Sequence, residues 1–275
     1  MALFEIVPNI SEGRRSETID RAVRAVEATG AAVLHRTSDA VHHRSVLTIA
    51  GSASVVLSAA AALAGVVVEE IDLREHRGVH PRIGALDVLP FVPLEGATIE
   101  EASALAHEAG EIIWERYRIP SFYYGAAARH AGRVLLATVR EGQFEGLETR
   151  FADPEWKPDV GDIARHERAG AIAIGARPIL IAFNVNLATG DLRIARSIAR
   201  HLRERTGGLA SLRALGLRLG ENEVQVSFNV TAYEATPLYR IVELVRRLAA
   251  QRGVDIARSE LIGCIPRSAG ETAAR

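Results

Sequence analysis

Lysine is almost missing from this chain. Among 33 basic residues, Lys157 is the only one that is not arginine. Schiff-base or lysine-base chemistry therefore has a single candidate, in the proline-bounded stretch DPEWKPD. Cysteine is equally scarce. A lone Cys264 excludes an intramolecular disulfide and points to a reducing, cytoplasmic compartment. Its apolar run SELIGCIP reads as core packing rather than the setting of a nucleophile. An excess of charge of one sign is missing too. The net charge of -1 removes the broad basic surface that nucleic-acid binding requires. No basic stretch followed by a long apolar one opens the chain, so no signal peptide is expected. The longest low-charge run, SASVVLSAAAALAGVVV (52–68), reads as too short and too rich in alanine and glycine to span a membrane. There is no glycine-rich phosphate loop, CxxC pair, GxSxG elbow or HExxH helix.

What the chain has is apolar bulk. Its 275 residues are 48% hydrophobic and 24% charged, enough for a real core beneath a charged surface. Residues 3–8 read as a strand. RSETIDRAVRAVEAT follows at helical spacing, with Ser16 as its cap and Gly30 as its stop. AAVLHR and RSVLTIAG read as strands, 52–68 as a buried helix, and GALDVLPFVPL as a strand. The order β-α-β-β-α-β then returns: strand 179–187, helix TGDLRIARSIARHLRERTGG, strands LRALGLRL and NEVQVSFNV, helix TPLYRIVELVRRLAAQRG with Thr236 signalling its start, and strand IARSELIGCIP. The fold class expected is α+β, two ferredoxin-like units spanning 1–176 and 177–275. Between them lie a helix (98–117), a short strand SFYYG and an irregular stretch, 140–177, of a length that suits ligand binding.

Histidine supplies the candidate chemistry, because imidazole carries protons near neutral pH. His107, His130 and His201 fall on or beside helices and read as surface residues. His76 and His80 stand four apart in REHRGVHPRIGALD. Gly78 and Pro81 oppose the helix that a zinc pair would need, so a catalytic role outweighs a metal site. PNISEGRR reads as a capping turn through Ser11 and Glu12. SDAVHHRSV crowds Asp39, His42, His43 and Arg44 at a strand entrance, where Arg44 could be solvated.

Taken in order, VPNISEGR (7–14), HHRSV (42–46), GVHPRIGALDVLPFVP (78–93), YYGAAA (123–128), REGQFEGL (140–147), WKPDVG (156–161), GARPILIAFNVNL (175–187), QVSFN (225–229) and SELIGCIP (259–266) resemble the formiminotransferase domain family over nearly the whole chain. The resemblance implies transfer of a formimino group from N-formiminoglutamate to N5 of tetrahydrofolate, with folate in a tunnel between the ferredoxin-like halves. It maps the family's catalytic histidine onto His80. It maps the folate loop onto Gly161, Asp162, Ile163, Ala164, Arg165, His166, Glu167, Arg168, Ala169 and Gly170. Substrate contacts are expected from Asn9, Ser11, Asp39, Arg44, Arg82, Asp87, Tyr124, Gly125 and Asn184, in or beside these segments. By charge and placement, Arg44 and Arg82 would hold substrate carboxylates, and Arg165 and Arg168 the folate glutamyl tail. Tetrahydrofolate is the expected co-substrate, with no metal, a homodimer as the assembly, and no nucleic-acid or membrane partner. The chain ends without the family's cyclodeaminase domain, so cyclisation of the product is expected of a separate cyclodeaminase.

Three departures stand out. The family's G-E-H-P is G-V-H-P here, with Val79. Its Y-G-E-A-A is Y-G-A-A-A, with Ala126. PDVGD replaces its P-D-x-G-P. Loss of two acids beside the site keeps two alternatives open: a related folate enzyme using a formyl donor, and a folate-binding protein with weakened catalysis.

Overall fold

Proline interrupts the first strand. Pro8 has no N–H to give to a ladder, so the strand expected over 3–8 stops as β1 (Phe4–Ile6) and resumes past the proline as β2 (Asn9–Ile10) along one path. The Pro8 carbonyl still accepts from Leu47 N at 3.1 Å. This broken strand pairs antiparallel with β4 (Arg44–Gly51) on one side and β5 (Leu86–Pro93) on the other, and β3 (Ala32–Asp39) pairs β4. The lateral order β3–β4–β1/β2–β5 is ferredoxin-like. The structure, a computed structural model, describes residues 2–273, and its two compact units meet in sequence between Pro178 and Ile179.

The first unit carries helices α1 (Ser16–Glu27), α2 (Ala53–Glu70) and α3 (Ile99–Tyr117), packed against one another and against the sheet. Ser16 is the first helical residue of α1 rather than its cap. Arg15 takes the cap position without a side-chain cap bond, and the turn before the helix is closed by Glu12, whose Oε1 accepts the N–H groups of Arg14 and Arg15 at 2.8 and 3.0 Å. The α2 helix is longer than its sequence suggested. Its 18 residues are long and apolar enough to cross a membrane by length and composition. Packing decides otherwise for this element: Val56, Leu63, Ala64 and Val67 are fully buried in the unit's core. The α3 helix opens on a capping box, Thr98 with Glu101.

The sheet then grows beyond the ferredoxin-like core. After α3 comes β6 (Ser121–Gly125). The chain then runs through two helices, α4 (Leu136–Val139) and α5 (Gln143–Phe151), to β7 (Ile172–Ala176). β7 inserts between β5 and β6 and lies parallel to both. The stretch 140–177 is therefore not irregular throughout. It holds α5 and a central strand. All five residues of β7 are buried, and its run of Ile, Ala and Gly lacks the alternation that marks a half-exposed strand.

The second unit is β8 (Ile181–Leu187), α6 (Leu192–Leu202), β9 (Leu212–Arg218), β10 (Val224–Val230), α7 (Leu238–Ala250), β11 (Ile256–Ile262) and α8 (Arg267–Ala273). Its order β11–β8–β10–β9, antiparallel throughout, repeats the ferredoxin-like arrangement. Ile181, Phe183, Val185 and Leu187 alternate inward and meet Val230, Phe228, Val226 and Val224 in register. On α6, Ala195, Ile198, Ala199 and Leu202 form the matching stripe. Two details differ from expectation. Pro237 occupies the cap of α7, while the Thr236 hydroxyl donates to the Ala210 carbonyl at 2.7 Å. Cys264 is exposed rather than packed in the core, because β11 ends at Ile262 and its run leaves the sheet.

Candidate active site

The start of β4, the β2 strand and the start of β5 converge in the first unit. Pairing shifts register between Asn9, opposite Val88, and Ile10, opposite Leu86, so Asp87 is the extra residue of a bulge. Bulges re-aim side chains. Here the Asp87 carboxylate is buried, with Oδ1 accepting the Ile83 N–H at 2.8 Å. Its Oδ2 accepts Arg44 at 3.0 Å and Arg140 as well. Arg44 is not solvated. Its Nε and second amino group donate to Asn9 Oδ1, and its Nη1 lies 2.9 Å from His80 Nδ1. Burial, then repulsion from Arg140, pushes the Arg44 guanidinium down to about 9.

His80 follows from the same geometry. Its Nδ1 lies 2.8 Å from the Pro81 carbonyl. A carbonyl only accepts and a guanidinium only donates, so the Pro81 contact calls for Nδ1–H and the Arg44 contact for a bare Nδ1; in the tautomer set by the carbonyl, the Nε2 lone pair is free. Burial, followed by the Arg44 and Arg140 charges, holds the imidazole well below its ordinary value of 6.5. The ring is therefore neutral and able to accept a proton at neutral pH. His42 stands 6.1 Å away, centroid to centroid, with its Nδ1 3.0 Å from Asp39 Oδ2. Asp39 also caps its own turn through the Val41 and His42 N–H groups. The His42 ring first of all holds its carboxyl down to about 2.

His76 does not join His80. It stacks on His43 at 4.2 Å, lies 2.9 Å from the His43 carbonyl through Nε2, and accepts Arg82 Nε at Nδ1. Burial pushes its imidazole down to about 4. Among the described residues, no three His, Cys, Asp or Glu side chains converge as a metal centre would need. His107 is half-buried against the Ala127 carbonyl, whereas His130 and His201 are exposed.

Several expected contacts are committed elsewhere. The Arg82 fork grips Glu145 at 2.7 and 2.9 Å. The Ser11 hydroxyl donates to the Gly84 carbonyl at 2.7 Å. In the 161–170 loop, Arg165 pairs with Glu148 and lies over Phe144, Arg168 pairs with Asp72, and Glu167 reaches Arg74. Residues 166–170 close a small hairpin: His166 and Gly170 exchange backbone bonds of 2.9 and 2.8 Å, and His166 Nδ1 accepts the Ala169 N–H. Gly84 and Gly170 bring this hairpin onto the chain before β5. A Cβ on either glycine would lie 2.1 Å from a facing carbonyl oxygen, and Gly170 has φ +72. Gly161, Asp162, Ile163 and Ala164 are exposed, whereas Ala169 is buried. Tyr124 is buried and bonded to Arg177. Burial pushes its phenol up, and Arg177 partly offsets this. Gly125 has φ +65 at the end of β6. Asn184 lies in the other unit, buried on β8 opposite Ser227 and Glu260.

Sequence reasoning left Arg140 without a role, although it begins the segment REGQFEGL. It also read Glu12 only as a capping residue. Glu12 is buried beneath Arg15 and lies 3.2 Å from His43 Nε2. Burial raises its carboxyl, but the N–H groups of Arg15 and Arg14 and the Arg15 guanidinium outweigh it and bring it down to about 2. A carboxyl depressed from 4.5 stabilises the fold above that pH and loses the contribution as pH falls toward 2. At about 1.4 kcal/mol per unit, the effect is on the order of 3 kcal/mol. Glu12→Gln is expected to lower unfolding stability by roughly 2–3 kcal/mol at pH 7 and by progressively less below pH ~4. Denaturant titrations at both pH values check this, and an equal loss at both would refute it.

The fold is two ferredoxin-like units, and proteins similar to this chain along its length are transferases. Residues 3–177 match the formiminotransferase domain, N-terminal subdomain, and residues 182–275 match the formiminotransferase domain. The chain belongs to the formiminotransferase domain family. A glutamate formimidoyltransferase of Streptococcus pyogenes is 39% identical over 97% of this chain and 90% of its own length. One from Thermoplasma acidophilum is 41% identical over 98% of this chain and 90% of its own. The formimidoyltransferase-cyclodeaminase of Gallus gallus is 37% identical over 97% of this chain, which spans 51% of that protein.

Proposed function

We propose that this protein is a glutamate formimidoyltransferase that moves a formimino group between N-formiminoglutamate and N5 of tetrahydrofolate. The observation that carries the reading is His80: an imidazole with Nδ1 against the Pro81 carbonyl and Arg44, its charged form disfavoured by burial and two arginines, within the stretch matched to the family. N5 attacks the formimino carbon, the new C–N bond forms, and the N5 proton passes to His80 Nε2. The bond from that carbon to the glutamate nitrogen then breaks, and Nε2 returns the proton to the departing nitrogen. Arg44 and Arg140 disfavour the imidazolium between these steps, which makes it a ready acid for the second. Of the two arginines expected to hold substrate carboxylates, Arg44 stands beside His80, whereas the Arg82 fork points to Glu145. The exposed residues Gly161–Ala164 remain for folate to meet, and a cytoplasmic location fits a chain with one cysteine.

The test is purified protein with tetrahydrofolate and N-formiminoglutamate, following 5-formiminotetrahydrofolate and free glutamate. Equal yields of the two products are expected. Faster turnover of N-formylglutamate would move the assignment to a formyl donor. Folate binding with no turnover of either donor would make the protein a binding protein instead.

A further inference from the structure

The buried cluster around Asp87 does not balance its charge. One carboxylate oxygen, Asp87 Oδ2, serves two guanidiniums, Arg44 and Arg140, and the other oxygen is taken by the Ile83 N–H. Asn9, another partner of Arg44, is neutral, and the His80 ring beside it carries no negative charge. Neighbouring acids are spent: Glu145 on Arg82, Glu12 on Arg15, Asp39 on His42 and its own turn. One positive charge therefore has no counterion among these groups. What exposure the cluster keeps belongs to the cations: 14% for Arg44 and 13% for Arg140, against 1% for Asp87. A ligand arriving from solvent meets guanidinium before carboxylate. Arg140 also has a donor to spare, since its buried Nε has no partner. The turn bearing it is held in place, because the Arg150 guanidinium donates to the carbonyls of Val139 and Glu141 at 2.7 and 2.8 Å and to that of Thr138. A site that is rigid, cationic and one anion short is a receptor awaiting that anion.

We propose that Arg140, paired with Arg44, is a specificity-determining residue that binds one carboxylate of the formimino donor. The inference rests on the reading above and names the group that selects a dicarboxylate donor over an uncharged amidine. The carboxylate completes the charge pairing that Asp87 leaves half done. Binding it there also sets the donor's reactive carbon in reach of the histidine that Arg44 touches.

The test is Arg140→Gln beside Arg140→Lys in steady-state assays varying each substrate. Arg140→Gln is expected to raise the donor KM on the order of 10²-fold, with the folate KM changed less than ~2-fold, and Arg140→Lys to recover part of the loss. A second readout does not need turnover: binding of glutamate, its α-amide and its γ-amide, measured by calorimetry. Wild type should prefer glutamate to one amide by roughly 10-fold or more, and Arg140→Gln should lose that preference. A merely structural arginine would change the melting temperature and leave the preference intact, which overturns the proposal. So does a rise confined to the folate KM. Absence of turnover in wild type defeats the functional reading, while the calorimetric preference still decides this one.

Discussion

His80→Ala is expected to lower kcat by ~10²–10⁴-fold, the range that a positioned proton carrier contributes, while the fold stays intact. The ring is not a keystone of the apolar core: it is only partly buried, and its contacts are the Pro81 carbonyl, the Arg44 guanidinium and the edge of His42. The same chemistry shapes the pH profile. Burial, Arg44, Arg140 and His42 all favour neutral imidazole, and only the Pro81 carbonyl opposes them. A base with a lowered pKa is deprotonated, and so active, down to well below pH 6.5. The acid limb of kcat/KM should therefore lie clearly on the acid side of an ordinary histidine's, and it should be missing from the residual activity of His80→Ala. An acid limb at or above pH 6.5 would mean that the ring works outside the electrostatic cluster described here.

Much of this architecture could be read from patterns, and the exceptions have physical causes. Ile181, Phe183, Val185 and Leu187 alternate with Ala182, Asn184 and Asn186, so β8 declares itself. The stripe on α6 does the same. β7 stayed hidden because a strand buried on both faces between parallel neighbours has no polar side to alternate with. Pro8 and the bulge at Asp87 are local events that a window of hydropathy averages away. The site divides along the same line. His80 stands in a sequence segment that announces it, and the turn that Glu12 closes with Arg14 and Arg15 is a short-range pattern. The pairing of Arg44 with Asp87 spans 43 residues and that of Arg140 with Asp87 spans 53. Nothing in the chain between them reports that one carboxylate will face two arginines. Proximity in sequence was misleading for Arg82, which lies two residues from His80 yet turns to Glu145.

Asp87→Ala carries the largest expected cost in stability. The carboxylate accepts three bonds in a buried setting, and its removal leaves two guanidiniums and the Ile83 N–H without it. Breaking a buried pair by deleting one partner costs about 3–5 kcal/mol, because the surviving charge remains desolvated. Here two survive, and water can reach each only partly. Asp87→Asn should cost less, since the amide oxygen still accepts one bond, but it cannot offset either charge. The decisive comparison is the double variant Asp87→Ala with Arg140→Gln. If the cost of the first change is mostly repulsion between unpaired arginines, removing one of them should recover about 1–2 kcal/mol, a coupling readable from unfolding midpoints in a double-mutant cycle. Independent losses that simply add would show that Asp87 stabilises through its bulge and the Ile83 contact alone. A single-variant loss below about 1 kcal/mol would remove the buried charge cluster as an organising element of the site.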